Sequence, residues 1–240
     1  MYPDLKGRVA LVTGGSSGLG KAAADSLRAA GVHVAIADLN ASASQEAAEA
    51  EAPQYLAIDG DVSSESDVNR FVSATAKAFG TVDILINCAG IPDTFKPTVE
   101  QDVADFRRLI DIHLTGTYMM CNAVAPVMLA QGRGSIINLS SIGGVLGLTP
   151  RNAYSAAKAG IGMMTRTLGC EWASRGVRVN TIAPGYILTP FARRLISEGK
   201  LDLKGICRRT PAGRLGDAQH VANAMLFLAS EQSEFITGTT

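Results

Sequence analysis

Short runs rich in Val and Ile recur at 9–13, 32–37, 55–58, 82–87, 135–139 and 177–182, and each is followed by a stretch with helical spacing. A strand that is almost continuously apolar must be buried on both faces, so helices have to cover both sides of the sheet it joins. This alternation predicts an α/β fold: a doubly wound parallel sheet in three layers, α/β/α. No internal repeat, low-complexity stretch or linker divides the 240 residues, and a single domain spanning 1–240 is expected. The rhythm breaks at about 186–214, where helical patterning is inserted before the last clear helix at 217–230, and this insertion is expected to form a lid or substrate loop. A further strand would be expected to begin at Phe235-Ile236-Thr237-Gly238-Thr239-Thr240, so a seventh strand stays open.

Composition removes several functions. Lys plus Arg (22) balance Asp plus Glu (22), and no basic block or basic amphipathic stretch occurs, so neither nucleic acid nor a membrane is an expected partner. The first residues lack a signal-peptide core and no stretch approaches the ~20 apolar residues of a membrane span, which predicts a cytoplasmic protein. Cys88, Cys121, Cys170 and Cys207 are dispersed, as are His33, His113 and His220. This spacing gives no metal site and no disulfide framework, and the thiols are expected to be reduced and mostly buried.

Directly after the first run comes Thr13-Gly14-Gly15-Ser16-Ser17-Gly18-Leu19-Gly20, then a helical stretch at 21–30. Glycines let the backbone turn tightly and approach a pyrophosphate, whose charge the free N–H groups of the helix start can hold. Asp38 closes the second run, where a carboxylate can accept hydrogen bonds from the adenosine ribose and repel a 2′-phosphate. Neither the glycine turn nor Leu39 supplies a cation for such a phosphate, which favours NAD over NADP. Asp61 and Val62 end the third run, and Asn87-Cys88-Ala89-Gly90 ends the fourth; both segments fall where ligands of open α/β sheets lie.

Tyr154-Ser155-Ala156-Ala157-Lys158 lies on a predicted helix whose apolar stripe is Ala157, Ile161, Met164 and Leu168, with Tyr154 and Lys158 at its edge. A free phenol, with a pKa of ~10, is a poor proton acceptor at neutral pH. An ammonium ~4 Å away at an effective dielectric of ~20 supplies about 4 kcal/mol, enough to bring a tyrosine close to working pH. Upstream, the run ending in Ser140 and Ser141 offers a hydroxyl to hold a substrate oxygen, although serines at a strand exit also cap turns.

In order and spacing, the glycine turn, Asn87-Cys88-Ala89-Gly90, Ser141, Tyr154-x-x-x-Lys158 and Asn180-x-x-x-Pro184-Gly185-x-x-x-Thr189 resemble the short-chain dehydrogenases/reductases over essentially the whole chain. The resemblance implies a Rossmann-type sheet, often of seven strands, and a homotetramer or homodimer. It implies that Ser141 orients a carbonyl and that Tyr154 is the general acid/base. Lys158 would lower the tyrosine pKa and bond the nicotinamide ribose, while Pro184, Gly185, Ile187 and Thr189 would grip the carboxamide. Gly14, Ser16, Ser17, Gly18, Leu19 and Gly20 would bind the pyrophosphate side, Asp38, Leu39, Asp61 and Val62 the adenosine, and Asn87, Ala89 and Gly90 the floor between them.

Two positions depart from the family pattern: Cys88 replaces a second Asn, and His113 stands where the family has the Asn that anchors a proton-relay water. His113 is read either as a relay residue, supported through its main-chain carbonyl, or as a core histidine on an apolar face with Phe106, Ile110, Thr117 and Met120. An imidazole there would add a pH dependence near ~6.5. The expected activity is hydride transfer between NAD(H) and a secondary alcohol or ketone. A 3-oxoacyl-carrier-protein reductase is the alternative within the class, and a non-catalytic NAD-binding regulator or scaffold the alternative outside it. Arg151, Arg193 and Arg194 fall in the segments expected to form the substrate pocket; they are read as solvated surface charge, with contact to a substrate carboxylate as the alternative.

Overall fold

A computed structural model of the chain describes residues 2–41 and 54–240. All six apolar runs form strands: β1 (Val9–Thr13), β2 (His33–Asp38), β3 (Tyr55–Asp59), β4 (Ile84–Asn87), β5 (Gly134–Leu139) and β6 (Val177–Ile182). They pair in parallel throughout, in the order β3-β2-β1-β4-β5-β6. The described helices are α1 (Gly18–Ala29), α2 (Glu65–Phe79), α3 (Val103–Ile110), α4 (Gly116–Gln131), α5 (Asn152–Trp172), α6 (Pro190–Ser197), α7 (Leu203–Arg209) and α8 (Ala218–Ala229). The helical segment expected after the second run lies outside the described residues.

Burial on both faces is visible strand by strand. In β1, Ala10 and Val12 point into a core closed by Ala23 and Leu27 of α1 and Met225 of α8, whereas Leu11 points into the opposite core with Phe71, Met120 and Val124. Successive side chains leave opposite faces of a strand, so a strand between two helical layers needs an apolar residue at every position. Connections from β1 run toward β2 and β3, those from β4 toward β5 and β6. The reversal opens a crevice at the carboxyl ends of β1 and β4, where Gly14 and Cys88 follow the strands.

At the opposite end, buried Asp83 sets the register of the two central strands. Its carboxylate accepts from the Val9 main-chain N–H at 3.0 Å and from Arg133 Nε at 3.1 Å, with Arg8 at 3.7 Å. On the outer edge of β6, Gly238 N–H donates to the Val179 carbonyl at 2.8 Å and Thr181 N–H to the Thr239 carbonyl at 2.9 Å. The Asn180 side chain donates to the Ile236 carbonyl at 2.8 Å. The segment at 236–239 is thus held against β6 without forming a seventh strand among the described residues. The expectation of mostly buried thiols fails: Cys121 is buried, Cys88 and Cys207 are half-buried, and Cys170 is exposed. Cys170 follows Leu168 by two positions, roughly 200° around α5, and so faces away from the core. Among the described residues, no helix is long and apolar enough to cross a membrane.

Asp83→Ala should lower the free energy of unfolding by about 1–3 kcal/mol, because it leaves the Val9 N–H and the Arg133 guanidinium without the carboxylate they share, while Arg8 keeps Glu231 at 2.9 Å. Urea denaturation at pH 7 measures it. A loss within experimental error would show that β1 and β4 hold their register without the carboxylate.

Candidate active site

The glycine turn between β1 and α1 is shaped by contact. Gly14 has φ +66° and a Cβ there would come within 2.9 Å of the Ala89 main chain; a Cβ on Gly20 would strike the Gly14 carbonyl. Gly18, at φ +55°, opens α1, whose first turn carries no acidic residue. Its unpaired N–H groups therefore face the groove with no carboxylate in the helix's own first turn to meet them, a cradle that suits a pyrophosphate. The groove holds about 290 Å³ and is lined by Gly14, Ser17, Gly18, Leu19 and Gly20 from the turn, with Asp38, Leu39, Asp61 and Val62 at one end and Ala89 and Gly90 below.

Two predicted cofactor residues sit elsewhere. Asn87 is buried behind the groove, its amide donating to Asn138 Oδ1 at 2.9 Å, and Asn138 in turn donates to the Thr165 hydroxyl at 2.9 Å. It joins β4, β5 and α5, and its own Oδ1 is buried without a hydrogen-bond partner among the described residues. Ser16 turns toward β2: its N–H donates to Asp38 Oδ2 at 3.1 Å and its hydroxyl to the Asn40 carbonyl at 3.2 Å. Ser16 thus holds the Asp38 carboxylate at the groove's end.

A second cavity, of about 590 Å³, adjoins the groove and brings together Ser141, Tyr154, Lys158 and His113. Pro184, Gly185, Ile187 and Thr189 also line it, and Phe191, Leu195 and Ile206 of the inserted segment roof it. Lys158, expected at the edge of its helix's apolar stripe, is buried, because its side chain reaches through to the end of β5. Its Nζ donates to the Leu139 carbonyl at 2.6 Å and lies 5.6 Å from the centre of the Tyr154 ring. Burial pushes the Lys158 ammonium down to about 8. Cys88, the small residue in place of a second Asn, is itself pushed up to about 12 by burial and stays a neutral thiol. Ser141 caps the short turn at Ile142–Gly144, its Oγ accepting from Gly143 N–H at 3.1 Å, and a hydroxyl that accepts there keeps its proton for a ligand.

His113 fits its reading as a core histidine. It sits in a π-helical turn, Asp111–Thr115, between α3 and α4, and its imidazole is 3% exposed. The ring meets Tyr154 edge to face at a centroid distance of 5.4 Å, and Nε2 lies 3.1 Å from the Ile91 nitrogen and 2.9 Å from its oxygen. It is therefore a packed core group that also touches the tyrosine. Burial, reinforced by the charges of Lys158 and Arg151, lowers its pKa to about 4 against the opposing hydrogen bond to Ile91. The expected titration near ~6.5 is thus displaced, since nothing in this pocket stabilises a second cation. Phe106, counted with it on one apolar face, is 37% exposed; the π turn shifts the phase between α3 and α4.

The family model described as enoyl-(acyl carrier protein) reductase matches residues 14–240. An uncharacterized short-chain type dehydrogenase/reductase of Sinorhizobium fredii is 39% identical over 234 residues, 98% of this chain and 42% of that protein. The chain belongs to the short-chain dehydrogenase/reductase family. A 3-oxoacyl-[acyl-carrier-protein] reductase of Synechocystis sp. is 37% identical over 242 residues, covering 98% of this chain and 95% of that one. The crystal structure of levodione reductase superposes with a TM-score of 0.91 at 34% identity, covering 98% of this chain and 95% of its own. The family is one of oxidoreductases that typically use a nicotinamide cofactor, and the glycine cradle and groove fit such a group.

Within this dehydrogenase/reductase, His113 dictates a neighbour that sequence reading assigned to the cofactor alone. A Cβ on Gly90 would strike the imidazole. Gly90→Ala should therefore destabilise the fold by roughly 1–3 kcal/mol, and adding His113→Ser should recover part of that loss, as thermal or urea unfolding of the single and double variants would show. His113 also has a pH consequence. Between about pH 4 and pH 6.5 the unfolded chain binds the proton that the folded chain refuses, so stability falls as pH is lowered through that window, by up to about 1.4 kcal/mol per unit. His113→Asn should flatten the difference in urea midpoint between pH 7 and pH 5. An unchanged difference would place the imidazole's titration in the folded state near its ordinary value.

Proposed function

We propose that this enzyme transfers hydride between NAD(H) and a secondary alcohol or ketone, with Tyr154 as general acid/base. The observation that carries the reading is that the cavity holding Ser141, Tyr154 and Lys158 shares Leu19, Cys88, Gly90 and Thr189 with the groove under the glycine cradle. A substrate in the first would thus abut a cofactor in the second. When bound, the nicotinamide supplies or accepts the hydride. Ser141 holds the substrate oxygen through its hydroxyl proton, and Tyr154 gives or takes the proton at that oxygen. Below about pH 8 the buried Lys158 ammonium keeps positive charge beneath the phenol. Phe191 and Leu195 of α6 limit water from above. Relatives named as reductases of levodione and of a 3-oxoacyl-carrier protein support a carbonyl substrate.

Asp38 supports NAD. Its carboxylate stands at the groove's end with an exposed Leu39 beside it, and Ser16 N–H orients it; a 2′-phosphate there would meet like charge. The same residue weighs against the 3-oxoacyl-carrier-protein reductase alternative, which typically prefers NADPH.

Absorbance assays with NADH and NADPH against a panel of ketones, and with NAD against alcohols, test this. NADH should be favoured over NADPH by at least about 100-fold in kcat/KM, and Asp38→Ala should shrink that ratio. Tyr154→Phe should lower kcat by roughly 10³ while leaving NADH affinity within a few-fold. Tight NADH binding without turnover of any carbonyl or alcohol would overturn the enzymatic reading in favour of a regulator.

A further inference from the structure

Arg151 is the residue preceding α5, three positions before Tyr154. Its expected place on the solvated surface is not where it lies. The guanidinium carbon sits 4.4 Å from the centre of the Tyr154 ring and 4.8 Å from that of Phe95, and the side chain lines the active-site cavity. Its Nε is buried and has no hydrogen-bond partner, and no carboxylate among the described residues pairs with the guanidinium. Aromatic faces hold a cation by its charge, but they are poor replacements for the oxygen acceptors that a guanidinium's N–H edge requires. A buried donor left in that state is costly unless a ligand completes it.

No other group in the cavity does so. Lys200 pairs with Glu198 at 2.8 Å, and Lys158 is committed to the Leu139 carbonyl. The carboxylate of Asp202 accepts from Gly205 N–H at 2.9 Å, where it caps α7. Asp93 is buried nearby in sequence to Phe95, yet its Oδ1 accepts from its neighbour Thr94 and it forms no ion pair with Arg151. Arg209 lines the same cavity from α7 and is exposed. The wall beside Tyr154 is therefore cationic and unanswered. By contrast Arg194, read with Arg151 in the sequence, faces Glu198 at 3.9 Å.

We infer that Arg151 is an anion-binding residue of the substrate site, and that the preferred substrates are short oxo or hydroxy carboxylic acids whose carboxylate Arg151 holds while their reacting oxygen meets Ser141 and Tyr154. The inference rests on the dehydrogenase reading above and names its substrate class. A guanidinium edge matches a carboxylate in a two-pronged hydrogen bond, which an ammonium cannot reproduce. Because the guanidinium lies over the ring of the reacting phenol itself, the charged group and the carbonyl must be only a few bonds apart, as in 2- and 3-oxo acids.

The test compares 2-, 3- and 4-oxo acids of four to six carbons with their methyl esters, in the wild type and in Arg151→Met and Arg151→Lys. In the wild type, kcat/KM for the best acid should exceed that for its ester by at least about tenfold. Arg151→Met should bring the acid-to-ester ratio of kcat/KM to about one by raising KM for the acid, and Arg151→Lys should restore the preference only in part. Equal turnover of acid and ester by the wild type, or an equal loss of both in Arg151→Met, would overturn the inference and leave the dehydrogenase reading intact. If the wild type turns over nothing, the dehydrogenase reading fails separately. Calorimetric titration of the NADH-loaded protein with the same acids then decides the site: binding by the wild type and not by Arg151→Met upholds it, and no difference overturns it.

Discussion

A reciprocal clasp between α5 and the end of β5 holds the candidate site together. The Lys158 ammonium donates to the Leu139 carbonyl at 2.6 Å, while the Ser140 hydroxyl donates to the Lys158 carbonyl at 2.7 Å. Gly144 permits the approach, since a Cβ there would come within 2.6 Å of the Lys158 carbonyl carbon. A buried charge is tolerable only when its donors are satisfied, so the helix cannot slide along the strand without exposing an unsatisfied ammonium. Tyr154 is one turn along the same helix and Ser141 follows Ser140 directly, so both inherit their positions from this clasp.

The clasp would mean little away from the crevice. Reversal of strand order between β1 and β4 leaves a gap at their carboxyl ends, and the glycine turn keeps that gap open by letting α1 start close to the Ala89 main chain. The buried chain Asn87–Asn138–Thr165 ties β4 to β5 and α5 behind it. Groove and cavity are therefore two parts of one rigid floor, with the inserted helices α6 and α7 above. His113 packs between Ile91 and Tyr154 and keeps the floor and the tyrosine in contact.

Much of this was legible beforehand. The six strands matched their apolar runs closely because burial on two faces leaves no freedom to alternate, and the motif spacings located Ser141, Tyr154, Lys158 and the glycine turn. What stayed hidden has one cause. Asn87, Ser16, Cys170 and Arg151 each stand beside residues that the motif pattern picks out, and local spacing states which element carries a side chain but not which neighbour completes its hydrogen bonds. Asn87 found Asn138, fifty-one positions away, and Ser16 found Asp38. The imidazole of His113 lost its titration near neutral pH to burial among the charges of Lys158 and Arg151.

The sequence by itself determined the parallel sheet, the glycine turn after β1, the acid that closes β2 and the family, because each depends on residue type at short, regular spacing. The tertiary structure alone decided that Arg151 lies over the Tyr154 ring, that His113 requires a glycine at position 90, and that Lys158 is a buried cation. Those properties are set by which distant surfaces exclude water from one another, and exclusion of water is a property of the packed chain rather than of any stretch of it.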